Sequence, residues 1–169
     1  MKKITLLLIV MSFTFVSFSQ DFNVPKNYKL EKAEDYTLLE KDVLNAIDWL
    51  YKTPANEKVQ KRKTVNAFVL QWLTGVSYVH IEINTDIVTF AGSSNPELLL
   101  MFMNGWAKYS IETQEYDDKI NGTLAGIEMS IGFYEKNKKN LSKDKELEKY
   151  IKMKEKGTLL KYIEENVKQ

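Results

Sequence analysis

The stretch NPELLLMFMNGWAKY, residues 95–109, is the most apolar part of the chain outside its first twenty residues. It opens like a helix, with Asn95 as a cap, Pro96 at the first helical position and Glu97 in the first turn. Further along, the polar residues fall near one stripe and apolar residues cover the remaining surface. This pattern is typical of a central helix packed by several neighbours. The unbroken apolar run, 98–103, is far shorter than the roughly 20 residues that a membrane span needs.

Apolar residues on both sides of this stretch recur at helical spacing. They predict a first helix over 35–52, with Asp35 as its N-cap, and a second over 56–74, with Gly75 as its stop. Two further helices are predicted nearer the C-terminus, one from about Ser142 and a short one over 158–163.

The fourth predicted helix, from Asp117 or Asp118 to Asn137, contains Gly122, Gly126 and Gly132. Each glycine inside a helix costs about 1 kcal/mol relative to alanine, so a compensating contact is expected. The first interpretation is close approach of the helix that begins at residue 95. The alternative is an apolar ligand or cofactor lying in the small-residue groove.

Residues 78–90 show a different pattern, because Val79, Ile81 and Ile83 alternate with polar or aromatic residues. This alternation is typical of a short β-hairpin, although two strands alone are marginal without covering helices. The expected fold is therefore mainly α: an extended lead-in over 20–34, then a single compact domain over 35–169 with five or six helices and a possible hairpin.

The N-terminus has the three parts of a secretory signal peptide: Lys2 and Lys3, an apolar run over 4–16, and Ser17-Phe18-Ser19. Cleavage is expected before Gln20, and the mature protein is expected to be periplasmic or secreted, with no remaining membrane span. Loss of the two lysines changes the formal net charge from +1 to −1. This balance gives no reason to expect nucleic acid as a partner.

The chain has no cysteine, which excludes thiol nucleophiles and cysteine metal sites. His80 is its one histidine, and neither a G-x-S-x-G elbow nor a glycine-rich phosphate loop is present. Neither a metal site nor a cofactor is predicted. Glu128, between Ile127 and Met129, is the one acid placed for a carboxylate hydrolase, with Glu112 as its candidate partner. The alternative is that Glu128 lies at the edge of the buried face and reaches water.

Two basic regions could serve an acidic partner. The start of the second helix carries Lys58, Lys61, Arg62 and Lys63, which oppose the helix dipole. Residues 135–156 hold nine lysines against five acids, and the preference for lysine over arginine favours a solvated face there. A solvated face is also the alternative for the first cluster.

These observations favour a non-catalytic, exported helical protein that binds another envelope protein or a small apolar ligand. The chain has three tryptophans and nine tyrosines for such contacts. Trp106 and Tyr109 on the central helix are the aromatic candidates, beside the basic cluster and Glu128. The carboxylate hydrolase around Glu128 is the alternative function.

Overall fold

The computed structural model describes residues 21–92 and 94–167. The predicted signal peptide and its cleavage site before Gln20 lie outside these residues. Within the described ranges, no helix is long and apolar enough to cross a membrane.

Helices make up most of the described chain, and none of its residues forms a β-strand, which confirms the mainly α prediction. The described residues form six α-helices and one 3-10 turn, Thr89–Gly92. The helices are α1 (Ala33–Lys52), α2 (Val59–Gly75), α3 (Pro96–Thr113), α4 (Lys119–Asn137), α5 (Lys145–Glu155) and α6 (Leu159–Asn166).

The centre of the fold is the antiparallel pair of α3 and α4, whose backbones approach closely at glycines. A Cβ atom on Gly126 would lie 2.6 Å from Phe102 Cδ2 and 2.7 Å from the Phe102 carbonyl oxygen. A Cβ on Gly122 would collide with the Trp106 indole, and the Ser130 hydroxyl donates to the Leu98 carbonyl over 3.0 Å. Close approach of α3 therefore explains why α4 tolerates helix-weakening glycines.

The pair is surrounded by the other elements. Besides α4, α3 contacts α1, α2 and the 3-10 turn, while α4 also contacts α1, α5 and α6. The buried apolar side chains of all six helices belong to one hydrophobic cluster. The prediction of a central helix packed by several neighbours is confirmed for residues 96–113.

The β-hairpin predicted near residues 78–90 is wrong. Residues 78–84 are irregular, and the chain turns where the amides of Ile87 and Val88 donate to the Asn84 carbonyl. The prediction failed because contacts with helices, and not pairing with a second strand, hold this segment in place. The Tyr78 hydroxyl donates to Glu40, and the Ile87 carbonyl accepts from Tyr150. Burial does not alternate regularly either, since Ile87 and Val88 are both buried.

Helix ends differ from the predictions by a few residues. Asp35 lies inside the first turn of α1, where its carboxylate accepts from the amides of Glu31 and Lys32, which lowers its pKa. Helix α5 is capped by Asp144, which accepts from the Leu147 amide at 2.9 Å, and not by Ser142. Asp118 caps α4, as one of the two predicted starts requires.

Two connections fix how the helices meet. Asn95 forms a reciprocal pair with the backbone of Ser142, donating to its carbonyl and accepting from its amide, each over 2.8 Å. The start of α3 is thereby joined to the loop that precedes α5. Gly157, between α5 and α6, has a φ of +68° and open space around its Cα, a conformation that glycine adopts readily.

Candidate functional site

The basic cluster at the start of α2 is occupied by the lead-in. Lys58 and Lys61 each contact the Asp21 carboxylate at 2.9 Å, and both ammonium groups lie over the Trp49 ring. The Trp49 indole also donates to Asp21, and Lys61 donates to Asn23. The acidic partner of these two lysines is therefore the chain's own N-terminal segment.

Asp21 is solvent-exposed, and the two lysines stabilise its ionised form. Their hydrogen bonds, Lys61 first and Lys58 second, lower the pKa of Asp21 from 3.8 to about 2. The carboxylate is thus ionised throughout the neutral range.

Arg62 belongs to the interior, since only 4% of its surface is exposed. Its Nη1 donates to the carbonyls of Leu50 and Thr53, at 2.8 and 2.7 Å, where α1 ends. Its guanidinium lies 5.2 Å from the centre of the Phe133 ring. Burial lowers the pKa of Arg62 while the charge of Glu97 raises it. Arg62 is a cap for the α1 C-terminus and has no surface to offer a partner.

Lys63, the fourth member of the cluster, is exposed, and no carboxylate of the described chain lies within ion-pair distance. The four basic residues thus have three different environments. The sequence placed them together, but the structure does not make them one docking surface.

Glu128 and Glu112 do not form a carboxylate pair. Glu128 is paired with Lys154 at 2.9 Å and its side chain is 42% exposed, while Glu112 is paired with Lys108 at 2.9 Å. Because α3 and α4 are antiparallel with Leu98 beside Ser130, Glu128 lies level with residues near 100 of α3. Glu112 is a further twelve residues along, about 18 Å at 1.5 Å per residue. Glycosidase carboxyl groups lie within about 10 Å of each other.

The small-residue groove of α4 is filled by side chains of this chain. Trp106 covers Gly122, Phe102 covers Gly126 and the Tyr51 hydroxyl covers Gly132. The groove that was a candidate for an apolar ligand is therefore part of the helix packing.

Two further residues considered in the sequence are Tyr109 and His80. The Tyr109 hydroxyl donates to Asp118 at 2.8 Å, next to the N-cap contact that Asp118 makes with the Asn121 amide. His80 is exposed in the irregular segment before Asn84. No group of three or more His, Asp or Glu side chains in residues 21–92 and 94–167 could hold a metal ion.

Trp106 is 2% exposed, and its indole nitrogen has no hydrogen-bond partner among residues 21–92 and 94–167. The other two tryptophans differ, since Trp49 donates to Asp21 and Trp72 donates to the Tyr36 carbonyl. Trp106 also forms part of the wall of a cleft of about 200 Å³. Trp106 is thus a predicted binding residue that lines a cleft.

A different basic surface runs along α5. Lys145, Lys149, Lys152 and Lys156, here called the lysine face, are spaced by four, three and four residues, and all are exposed. At 100° per residue they fall within about 60° of the helix circumference and extend over about 16 Å. The opposite side of α5 carries buried Leu147, Tyr150 and Ile151. Anchoring of the apolar side therefore points the lysine face outward.

The lysine face borders an open groove of about 630 Å³, with Lys143, Met153 and Thr158 also in its wall. The wall contains one acid, Glu148, which is engaged by Lys143 at 3.4 Å and by the Tyr134 hydroxyl at 3.3 Å. Lys149 lies over the Tyr162 ring. No described carboxylate forms an ion pair with Lys145, Lys152 or Lys156. The groove wall thus carries five lysines and one glutamate, so it is positively charged.

The signal for this surface was present in the sequence. Residues 135–156 were interpreted as a solvated face from their composition, but the spacing of the four lysines already placed them on one side of a helix. What composition could not give is the pairing within this region, where Glu148 is engaged by Lys143 and by the Tyr134 hydroxyl.

Comparison with protein-family models, with curated proteins and with solved structures finds no match for the chain.

Proposed function

We propose that this chain is an exported, non-catalytic binding protein that uses the lysine face of α5 to hold an acidic segment of another protein of the cell envelope. The observation that carries the proposal is the groove wall, where five lysines accompany one glutamate that is already paired. Charges of one sign along a groove attract an oppositely charged partner and accelerate its association.

The shape of the groove favours an extended or helical acidic segment. Four ammonium groups along about 16 Å match carboxylates spaced along a peptide of similar length. Met153 and the lysine methylene chains add apolar surface for a side chain between those carboxylates.

A protein partner is favoured over nucleic acid for two reasons. All the cationic residues of the groove wall are lysines, whereas arginine is the usual choice for bidentate recognition of phosphate. Moreover, the net charge of the predicted mature chain is −1, which gives no general attraction for nucleic acid.

Binding to a defined probe tests the proposal. Fluorescence anisotropy would follow a labelled peptide of alternating glutamate and leucine as residues 20–169 are added, at low and physiological salt. The variant Lys145→Gln/Lys152→Gln/Lys156→Gln removes the three unpaired lysines. The control, Lys26→Gln/Lys29→Gln/Lys41→Gln, removes the same charge from exposed positions on the lead-in and α1.

We expect the α5 variant to bind at least about tenfold more weakly with a smaller salt dependence, and the control within about twofold of wild type. Equal weakening by both variants would mean that only total charge matters and would refute the docking surface. Tighter binding of a single-stranded oligonucleotide of equal charge than of the peptide would refute the protein partner.

Export has its own test. N-terminal sequencing of the protein recovered from the periplasm or medium of an expressing bacterium should begin at Gln20. Recovery of a full-length chain starting at Met1 in the cytoplasm would contradict this part of the proposal.

A further inference from the structure

From the cleft beside Trp106, we infer a second binding site that accepts a small zwitterion, the chemical class of a free amino acid. The cleft lies between α3, α4, the irregular segment after α2 and the end of α6. Its wall includes Glu82, Asp86, Trp106, Lys119 and Thr123. The inference is independent of the lysine face.

The first requirement comes from the Trp106 indole. Its N–H is buried and has no partner in the described chain, although buried polar groups are nearly always hydrogen-bonded. Its nitrogen edge lies against Gly122, and the α4 residues on either side, Lys119 and Thr123, are part of the cleft wall. An indole N–H is a donor only, so the group that would satisfy it is an acceptor such as a carboxylate oxygen.

The second requirement comes from the charges around the cleft. Lys119 and Glu82 form an ion pair at 2.8 Å between exposed side chains. Asp86 is exposed, and no described cation pairs with its carboxylate. The wall therefore carries two carboxylates and one ammonium group, which leaves one negative charge for a cationic group of a ligand.

A zwitterion meets both requirements at once. Its carboxylate would take the place of Glu82 at the Lys119 ammonium group and accept from the Trp106 N–H. Its own ammonium group would pair with the released Glu82 and with Asp86. Exchange of the Lys119–Glu82 pair is easy, because exposed ion pairs contribute little stability. The indole nitrogen is covered in the unliganded chain and lies against Gly122, so binding also requires the wall beside it to shift.

The size of the cleft limits the ligand. A volume of about 200 Å³ is below the range of drug-sized sites and corresponds to several water molecules at about 30 Å³ each. An amino acid with a small side chain fits this space, whereas a dinucleotide or an oligosaccharide does not.

The three tryptophans provide the measurement. The ¹H–¹⁵N spectrum of residues 20–169 should show three indole signals, and Trp106→Phe identifies the one that matters by its loss. L-alanine would be titrated against the wild-type protein, with acetate and methylamine as probes that each carry one of the two charges. Trp49 and Trp72 are internal controls, because both indoles have partners within the chain.

We expect L-alanine to shift the Trp106 signal in a saturable way, with the other two signals unchanged and with much weaker responses to acetate and methylamine. Asp86→Asn should weaken L-alanine binding about tenfold, since it removes a charged hydrogen-bond acceptor. The matched control Asp117→Asn changes a similar exposed acid outside the cleft wall and should bind as wild type.

If the Trp106 signal does not shift even at the highest L-alanine concentration, the inference is overturned and the cleft holds only water. An equal response to acetate alone would overturn the zwitterion, because the acidic wall would then have no role. If Trp106→Phe does not fold, the Trp106 signal can be assigned by elimination. Trp49→Phe and Trp72→Phe each remove one of the other two signals.

Discussion

Arg62 shows how one residue can look like part of a surface in the sequence and belong to the interior in the structure. Its neighbours Lys58, Lys61 and Lys63 are partly or fully exposed, but its guanidinium is directed at two carbonyl groups where α1 ends. A run of four cationic residues in six positions gives no sign of which one turns inward. Helical spacing does give one, because Arg62 lies three residues before Val65 on the buried side of α2.

The conservative change Arg62→Lys should destabilise the protein. A lysine ammonium cannot reproduce the planar contact with Phe133 while reaching both carbonyls, so we expect a loss of about 1–3 kcal/mol in the free energy of unfolding. Urea denaturation followed by tryptophan fluorescence measures this loss. The adjacent exposed change Lys63→Met is the control and should alter stability by less than about 0.5 kcal/mol. Equal effects of the two changes would contradict the capping role.

The pairing of α3 with α4 is the feature at the scale of elements that the sequence predicted best. Glycines inside α4 predicted a close neighbour, and α3 is that neighbour at Gly122 and Gly126, while Tyr51 of α1 covers Gly132. The sequence could not give the partner of each glycine, because the residue that faces Gly126 depends on the register of two helices. The hairpin prediction for residues 78–90 was wrong for a related reason. This segment is held by contacts with α1 and α5, which are distant from it in sequence.

Replacing Gly126 with alanine tests the helix pairing. Alanine raises helix propensity by about 1 kcal/mol, but its Cβ would meet the Phe102 ring and carbonyl below 3 Å. The overpacking should dominate and leave the variant about 1–3 kcal/mol less stable than wild type in thermal or urea unfolding. Gly92→Ala is the matched control, because nothing lies within 4 Å of a Cβ at that position. A stabilised Gly126→Ala variant would show that the two helices can separate freely.

At the scale of the whole molecule, Lys58 and Lys61 pair with Asp21 of the lead-in, while Lys145, Lys152 and Lys156 of the lysine face pair with no described carboxylate. The overall charge balance can be read from the sequence, but this division cannot, because Asp21 is 37 residues from Lys58. The fold therefore separates the predicted binding residues. Lys58 and Lys61 contact the lead-in, Arg62 caps the end of α1, and Trp106 packs between α3 and α4. The lysine face is identified by the absence of ion pairs between its lysines and the described carboxylates, and only the structure shows these contacts.

Attachment of the lead-in should depend on pH in the acidic range. The pKa of Asp21 is lowered from 3.8 to about 2, so its contacts stabilise the folded chain above about pH 4 and are lost as the pH falls through about 2. The Trp49 indole signal in a ¹H–¹⁵N spectrum, whose N–H donates to Asp21, should shift over that range. The Trp72 signal is the control, because its N–H donates to a backbone carbonyl that does not titrate. Asp21→Asn should remove the Trp49 transition, and its persistence would assign the transition to another group.

The left-handed backbone at Gly157 gives the groove a stereochemical requirement. Lys156 precedes it and Thr158 follows it, so the angle at this single residue sets how two parts of the groove wall face each other. An L-amino acid there would favour the opposite sign of φ, whereas a D-alanine introduced by chemical ligation would prefer the angle already present. D-alanine at position 157 would therefore hold the groove in its native shape, while L-alanine at the same position would distort it.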